Sequence, residues 1–93
     1  MSEPAEPYRL IMARSAARAL STTLAEKVAT AVYEFVTGPL LDNPRRVGKP
    51  LDPPLAPAYS ARRGTYRVLY LINDTNRTVE VTAISHRADA YRT

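Results

Sequence analysis

The sequence has 93 residues, a length that fits one domain, and we expect a single domain over 1–93 with a flexible tail at 1–7. Hydrophobic residues make up 45% and charged residues 24%, which is typical of a globular protein and excludes the disordered and membrane-protein classes. With no cysteine and one histidine, the chain excludes disulfides and a zinc site of Cys/His type, and we expect neither metal nor cofactor.

The start of the chain does not read as a targeting segment. Residues 1–7 are acidic and carry two prolines, whereas a secretory signal is basic and then apolar. No stretch approaches 18 uninterrupted apolar residues. These features predict a cytoplasmic protein without membrane contact.

Positive charge is concentrated in the second half of the sequence. Residues 1–44 hold four basic and five acidic side chains, whereas residues 45–93 hold nine basic and four acidic ones. Eleven of the thirteen cations are arginine, whose planar guanidinium binds phosphate through two hydrogen bonds. This bias favours a nucleic-acid partner, although a basic surface that serves solubility alone is an equal alternative.

The first elements predicted along the chain are a strand and two helices. A short β-compatible segment at 8–14 precedes Ser15, a candidate N-cap for a helical turn at 16–20. Thr23 and Glu26 form a capping box that opens an amphipathic helix. Its apolar residues have helical spacing: Leu24, Val28, Ala31, Val32, Phe35 and Val36. Gly38 and Pro39 end this helix.

Six of the eight prolines lie between Pro39 and Pro57. Proline removes a backbone donor and fixes φ, so we expect neither a helix nor a central strand in this segment, only an extended surface loop. The loop carries Arg45, Arg46 and Lys49, and a long loop in a compact domain is typically functional. A plain connector is the alternative.

The rest of the sequence predicts three antiparallel strands, at 59–62, 65–73 and 78–86, joined by turns at 63–64 and 74–76. In the middle strand, Arg67 shares a face with Leu69 and Leu71, and we expect it at the end of a largely buried row. The element order β-α-α-β-β-β indicates an α+β fold. We predict a helical hairpin on one face of a small, mostly antiparallel twisted sheet, with the other face open.

Antiparallel pairing of the last two strands brings Arg67 close to His86 and Arg87. A cluster there would suit metal-free RNA cleavage, because arginines offset phosphorane charge while a histidine or tyrosine moves protons. The candidate cluster is Arg62, Arg63, Arg67, His86, Arg87, Tyr91 and Arg92. On spacing alone the structural alternative is favoured, in which Arg67 pairs with Asp89 and Tyr91 packs on the sheet.

Two segments carry a family resemblance. The run Ser60-Ala61-Arg62-Arg63-Gly64-Thr65-Tyr66-Arg67-Val68-Leu69-Tyr70 and the later run Ile84-Ser85-His86-Arg87-Ala88-Asp89-Ala90-Tyr91-Arg92 resemble toxins of the RelE/ParE superfamily, especially actinobacterial RelE-type members. The resemblance implies a RelE-like, microbial-RNase-like fold and a ribosome-dependent endoribonuclease that cuts mRNA in the A site. It also implies a RelB-like antitoxin, and binding of operator DNA only by the toxin-antitoxin complex.

By position, the resemblance makes Arg67, Arg87 and Tyr91 the catalytic candidates, with His86 as a candidate proton acceptor. The stretch 59–62 lacks the lysine pair that some RelE toxins carry there. The resemblance therefore leaves the positive charge to other cations, and the RNA-binding candidates are Arg62, Arg63, Lys49, Arg45, Arg46 and Arg92. A ParE-like gyrase inhibitor without enzymatic activity and a degenerate toxin that only binds its antitoxin are the alternatives.

Overall fold

The computed structural model describes residues 6–86, with the backbone alone at Thr23. Its strands are β1 Arg9–Met12, β2 Lys49–Pro50, β3 Tyr59–Arg63, β4 Tyr66–Asn73 and β5 Thr78–His86. Its helices are α1 Arg14–Arg18, which continues into a π-helical turn Ala19–Thr23, then α2 Glu26–Thr37 and α3 Pro39–Asp42. The predicted α+β class is confirmed.

The five strands form one sheet in the order β1-β5-β4-β3-β2. The predicted meander of β3, β4 and β5 is confirmed, and all its pairings are antiparallel. Two strands at the edges extend it. β1 pairs in parallel with β5, where Leu10 lies opposite Val79, and β2 pairs with the start of β3. The N-terminal strand therefore lies beside the last strand of the meander.

The helices cover one face of this sheet. α2 contributes the buried side chains of Val32, Phe35 and Val36, and α3 contributes Leu40. They join buried residues of the two central strands, Val68, Tyr70, Val79 and Val81, in one core. No helix in residues 6–86 is long and apolar enough to cross a bilayer.

Both predicted N-caps are wrong. α2 begins at Glu26 with Ala25 as its N-cap, because the backbone at Thr23 still belongs to the π-helical turn and Leu24 is extended. α1 has Ala13 as its N-cap, and the Ser15 hydroxyl instead donates a hydrogen bond to the Thr82 carbonyl oxygen. The predicted end of α2 is confirmed, since Gly38 is its C-cap.

The proline segment contains more regular structure than its composition predicts. Pro39 opens α3, a position that proline tolerates because the first helical N–H has no partner within the helix. Pro50 lies in the two-residue edge strand β2, where its missing donor is tolerated. The expectation of no helix in this segment was therefore wrong, whereas the expectation of no central strand is confirmed.

Candidate nucleic-acid interface

The two faces of β4 differ in burial. Tyr66, Val68 and Tyr70 are buried beneath the helices, whereas every second residue from Arg67 to Leu71 is half-buried. We call the latter side, which carries Arg67, Leu69 and Leu71, the open face. The expectation that Arg67 ends a largely buried row was wrong, because the helices cover the opposite face.

A tight hairpin places two arginines side by side on the open face. Gly64 has a φ of 57° in the two-residue turn between β3 and β4, a conformation that glycine adopts without steric cost. The turn sets Arg62 directly opposite Arg67, and Arg67 is opposite Ser85 on β5. Side chains at directly opposite positions share a face, with Cβ atoms about 5 Å apart. The structure therefore forms a row on the open face from Arg62 through Arg67 to Ser85.

Like charges at opposite positions destabilise a sheet. Within residues 6–86 the salt bridge that forms joins Arg45 to Asp74, so in this part of the chain no carboxylate pairs with Arg62 or Arg67. Among the described residues the repulsion between the two arginines is therefore not compensated, and an anion such as a phosphate group would offset it.

Two other predicted site residues lie at the same end of the sheet but on the helix-covered face. Arg63 and His86 flank Tyr66 on the neighbouring strands. The Arg63 guanidinium carbon lies 4.7 Å from the centroid of the Phe35 ring, a cation-π contact with α2. The structure thus brings Arg67 and His86 to one end of the sheet, as predicted, but on opposite faces.

The hydroxyl of Tyr66 donates a 3.3 Å hydrogen bond to the Ala31 carbonyl oxygen of α2. Burial raises the pKa of Tyr66, and the nearby Arg63 opposes this shift. Tyr66 therefore fastens α2 to this end of the sheet in its neutral form.

Lys49 joins the open face from the edge strand. It lies opposite Ser60, which in turn lies opposite Leu69. This places Lys49 one row from the arginine pair and two strands from β4, or about 10 Å at usual strand spacing. Its side chain is exposed. Three of the predicted cations, Lys49, Arg62 and Arg67, therefore share one surface.

Arg45 lies elsewhere, and the exposed Arg46 follows it in the chain. The Arg45 guanidinium donates hydrogen bonds of 3.0 and 2.7 Å to the two carboxylate oxygens of Asp74, which follows the last residue of β4. This pairing raises the pKa of Arg45 and, with a hydrogen bond from Tyr8, lowers that of Asp74 to about 2. Seven residues of extended strand separate Asp74 from Arg67, about 23 Å. The structure does not bring Arg45 to the arginine pair.

The remaining predicted site residues, Arg87, Tyr91 and Arg92, lie outside the described residues, as does Asp89. The sequence interpretation also missed Ser85. A signal was present, because the apolar residues Val79, Val81 and Ile84 do not keep the two-residue period of a regular strand. Such a break in phase is typical of a β-bulge, and the pairing of β4 with β5 shifts between Leu69 and Tyr70.

Comparison with known proteins identifies the family of this chain. A family model described as the ParE toxin of the type II toxin-antitoxin system parDE matches residues 9–91. The chain belongs to the RelE/ParE toxin family. It is 50% identical over 86 residues to Toxin RelE of Mycobacterium tuberculosis, and the aligned region covers 92% of this chain and 88% of that toxin. It is 48% identical over 86 residues to Toxin RelG of the same organism, covering 92% of this chain and 98% of RelG.

Solved structures agree with this assignment. The toxin-antitoxin complex RelBE2 from M. tuberculosis contains a chain with 45% identity and a TM-score of 0.85, and the match covers 88% of this chain and 100% of that one. The isolated RelE toxin of Escherichia coli has a TM-score of 0.69 at 21% identity, covering 85% and 83%, and supports the shared fold. The family resemblance predicted from the sequence is confirmed.

Proposed function

We propose that this chain is the toxin of a type II toxin-antitoxin system and acts as a metal-independent endoribonuclease that cleaves mRNA in the A site of the ribosome. The observation that carries the proposal is the facing pair Arg62 and Arg67 on the open face, which forms no salt bridge within residues 6–86. Two adjacent guanidinium groups suit a phosphate that gains negative charge in the transition state.

Different residues at this end of the sheet carry different steps of the reaction. Arg67 offsets charge on the scissile phosphate, and Arg87 acts near the leaving group. Tyr91 moves or orients the proton of the attacking 2′-OH, because His86 lies on the opposite face of the sheet from Arg67. Arg62, Lys49 and Arg92 supply further positive charge toward the RNA. Arg63 lies on the helix-covered face and Arg45 is paired with Asp74, so these two and the neighbouring Arg46 add only to the general basic surface. The support from the described residues is strongest for Arg62, Arg67 and Lys49, which share the open face.

Dependence on the ribosome follows from what the open face offers. In residues 6–86, Leu69, Leu71 and Ala83 accompany the cations on this face, and aliphatic side chains do not stack on bases as aromatic rings do. Free RNA would bind mainly through charge, without the in-line geometry that cleavage of a phosphodiester requires. The ribosome fixes the mRNA and supplies that geometry, which also makes the cytoplasm the place of action.

A RelB-like antitoxin completes the proposed system. The M. tuberculosis relative was solved in a toxin-antitoxin complex, and the matching chain of the E. coli RelBE complex has the same fold at 20% identity. We propose that an acidic and apolar antitoxin segment wraps this chain and obstructs the site around Arg67. Operator DNA is bound by the complex alone. Hydrogen–deuterium exchange of the free and the antitoxin-bound toxin tests this mode of binding. If the antitoxin protects none of the basic surface from exchange, the proposal is contradicted.

The decisive experiment compares naked mRNA with mRNA in programmed 70S ribosomes that have an empty A site. The protein should leave naked mRNA almost untouched and cut the ribosome-bound message. Arg67→Ala should abolish cutting with little change in the melting temperature, whereas Arg14→Ala, which removes an exposed arginine on α1, should cut normally. Equal cutting of both substrates would refute ribosome dependence.

A ParE-like gyrase inhibitor is the second candidate, because the matching family model describes the ParE toxin. The two candidates differ in what they damage. Expression of the protein alone should give codon-phased mRNA 5′ ends if it is a nuclease, and DNA breaks with an SOS response if it inhibits gyrase. Neither signal would indicate a degenerate toxin that binds its antitoxin only.

A further inference from the structure

Strand β5 contains one residue more than its partner. Tyr70 of β4 lies opposite Val81, and the preceding Leu69 lies opposite Ala83. Thr82 is therefore an extra residue without a partner in the β4 register, which defines a β-bulge.

Hydrogen bonds from two directions hold this bulge. The Ser15 hydroxyl at the start of α1 donates to the Thr82 carbonyl oxygen over 3.0 Å, and the Ala13 N–H donates to the Val81 carbonyl oxygen over 2.9 Å. From within the sheet, the Thr82 hydroxyl donates to the Leu69 carbonyl oxygen over 3.3 Å. The bulge is thus fastened both to the N-terminal helix and to β4.

The bulge reverses the faces of all later side chains in β5. Before it, Val79 and Val81 are buried beneath the helices, and after it Ile84 and His86 take that face. If Thr82 were paired with Leu69 in a regular ladder, the register set at Tyr70 would place Ile84 opposite Arg67. An aliphatic side chain would then stand beside the arginine pair, and the hydroxyl of Ser85 would face the core.

We propose that Ser85 is a phosphate-binding residue of the RNA site, and that Ser15 and Thr82 position it through the bulge. This inference rests on the proposed function. The half-buried Ser85 lies directly opposite Arg67, so its hydroxyl donates to the same phosphate group that the arginine pair binds. Ser15 and Thr82 act at a distance from the RNA, because their hydroxyls are used in holding the bulge.

Single-turnover cleavage on programmed ribosomes tests both roles. Ser85→Ala should lower the cleavage rate roughly ten-fold, the effect of one lost hydrogen bond to a charged group. Ser85→Thr, which keeps the hydroxyl, should lose less. Ser15→Ala should lower the rate in the same direction, whereas Ser21→Ala should leave it unchanged, because the Ser21 hydroxyl donates only within its own helical segment, to the Arg18 carbonyl oxygen. A wild-type rate for Ser85→Ala would overturn the inference.

A second measurement separates this inference from the proposed function. Nuclear magnetic resonance (NMR) detects the close approach of the Arg67 and Ser85 backbones, which a β5 strand paired without the bulge would replace with an approach of Arg67 to Ile84. A short single-stranded oligoribonucleotide should shift the Arg67 and Ser85 signals in the wild type, and less in Ser85→Ala. If these shifts occur but no RNA is cut on the ribosome, the nuclease proposal fails and the phosphate site stands. If the wild type cleaves RNA, but Ser85→Ala cleaves at the wild-type rate and RNA does not shift the Ser85 signal, then the proposed role of Ser85 is refuted and the nuclease proposal is not.

Discussion

The hydroxyl of Tyr70 donates a 2.5 Å hydrogen bond to the carbonyl oxygen of Pro44, a residue 26 positions earlier in the chain. The Tyr70 side chain is fully buried at the centre of the sheet, and burial raises its pKa to about 12. The ring also stacks on Tyr59, with centroids 5.7 Å apart. This bond fastens the segment that leads to Lys49 onto the core, and so it helps to place Lys49 on the open face.

Tyr70→Phe should destabilise the fold by about 1–3 kcal/mol, because it leaves the buried Pro44 carbonyl without its donor. Urea denaturation measures the loss. Tyr33→Phe is the matched control, since the Tyr33 side chain is 58% exposed on α2 and its loss of a hydroxyl should change the free energy of unfolding very little. Equal effects of the two substitutions would argue against a role for the Tyr70 bond.

Gly48→Ala should also destabilise the protein, by about 1–3 kcal/mol, through overpacking. A Cβ atom at Gly48 would collide with the Tyr70 hydroxyl and lie 2.8 Å from the Ser60 carbonyl oxygen. Because Tyr70→Phe removes one of these two obstacles, the double variant should lose less stability than the sum of the single variants. Strict additivity in urea denaturation would contradict the collision with Tyr70.

Asp74→Asn should change how the free energy of unfolding depends on pH in acid. The hydrogen bonds from Arg45 and Tyr8 lower the Asp74 pKa from 3.8 to about 2 in the folded protein. The unfolded chain therefore binds a proton first, and this carboxylate stabilises the fold above about pH 4 and loses that effect as pH falls toward 2. Stability measured from pH 2 to pH 6 should fall less steeply in the variant; parallel profiles would exclude the Asp74 contribution.

Arg62→Gln should raise stability slightly, by about 0.5 kcal/mol, while weakening the binding of RNA. The substitution removes one of two like charges at directly opposite positions, which repel each other in the free protein. Thermal melting measures the first effect, and titration with a single-stranded oligoribonucleotide measures the second. A variant that melts earlier than the wild type would show that Arg62 stabilises the fold instead.

Local patterns in the sequence predicted the meander well. The last strand was placed at 78–86, as observed, and the alternation that put Arg67, Leu69 and Leu71 on one face of β4 was correct. Alternation separates two faces but does not say which one the helices cover, so the burial of the Arg67 row was misjudged. The parallel pairing of β1 with β5 joins segments nearly 70 residues apart, and local periodicity carries no information about such a partner.

Local patterns in the sequence also predicted the outline of the candidate site. Antiparallel order was enough to bring Arg67 and His86 to one end of the sheet. Their separation onto opposite faces depends on the bulge at Thr82, which in turn depends on contacts from Ala13 and Ser15 in a distant part of the chain. A single strand read in isolation does not show those contacts.

The shortness of β2 has a consequence for association between chains. β2 pairs only with Tyr59 and Ser60, so within residues 6–86 no strand covers the outer backbone edge of β3 from Ala61 onward. An uncovered edge is a template for pairing with another chain, and charged side chains along it discourage such aggregation. Arg62 and Arg63 occupy this edge. The charge of Arg62, which repels Arg67 within one molecule, therefore also discourages a strand of a second molecule from pairing with this edge.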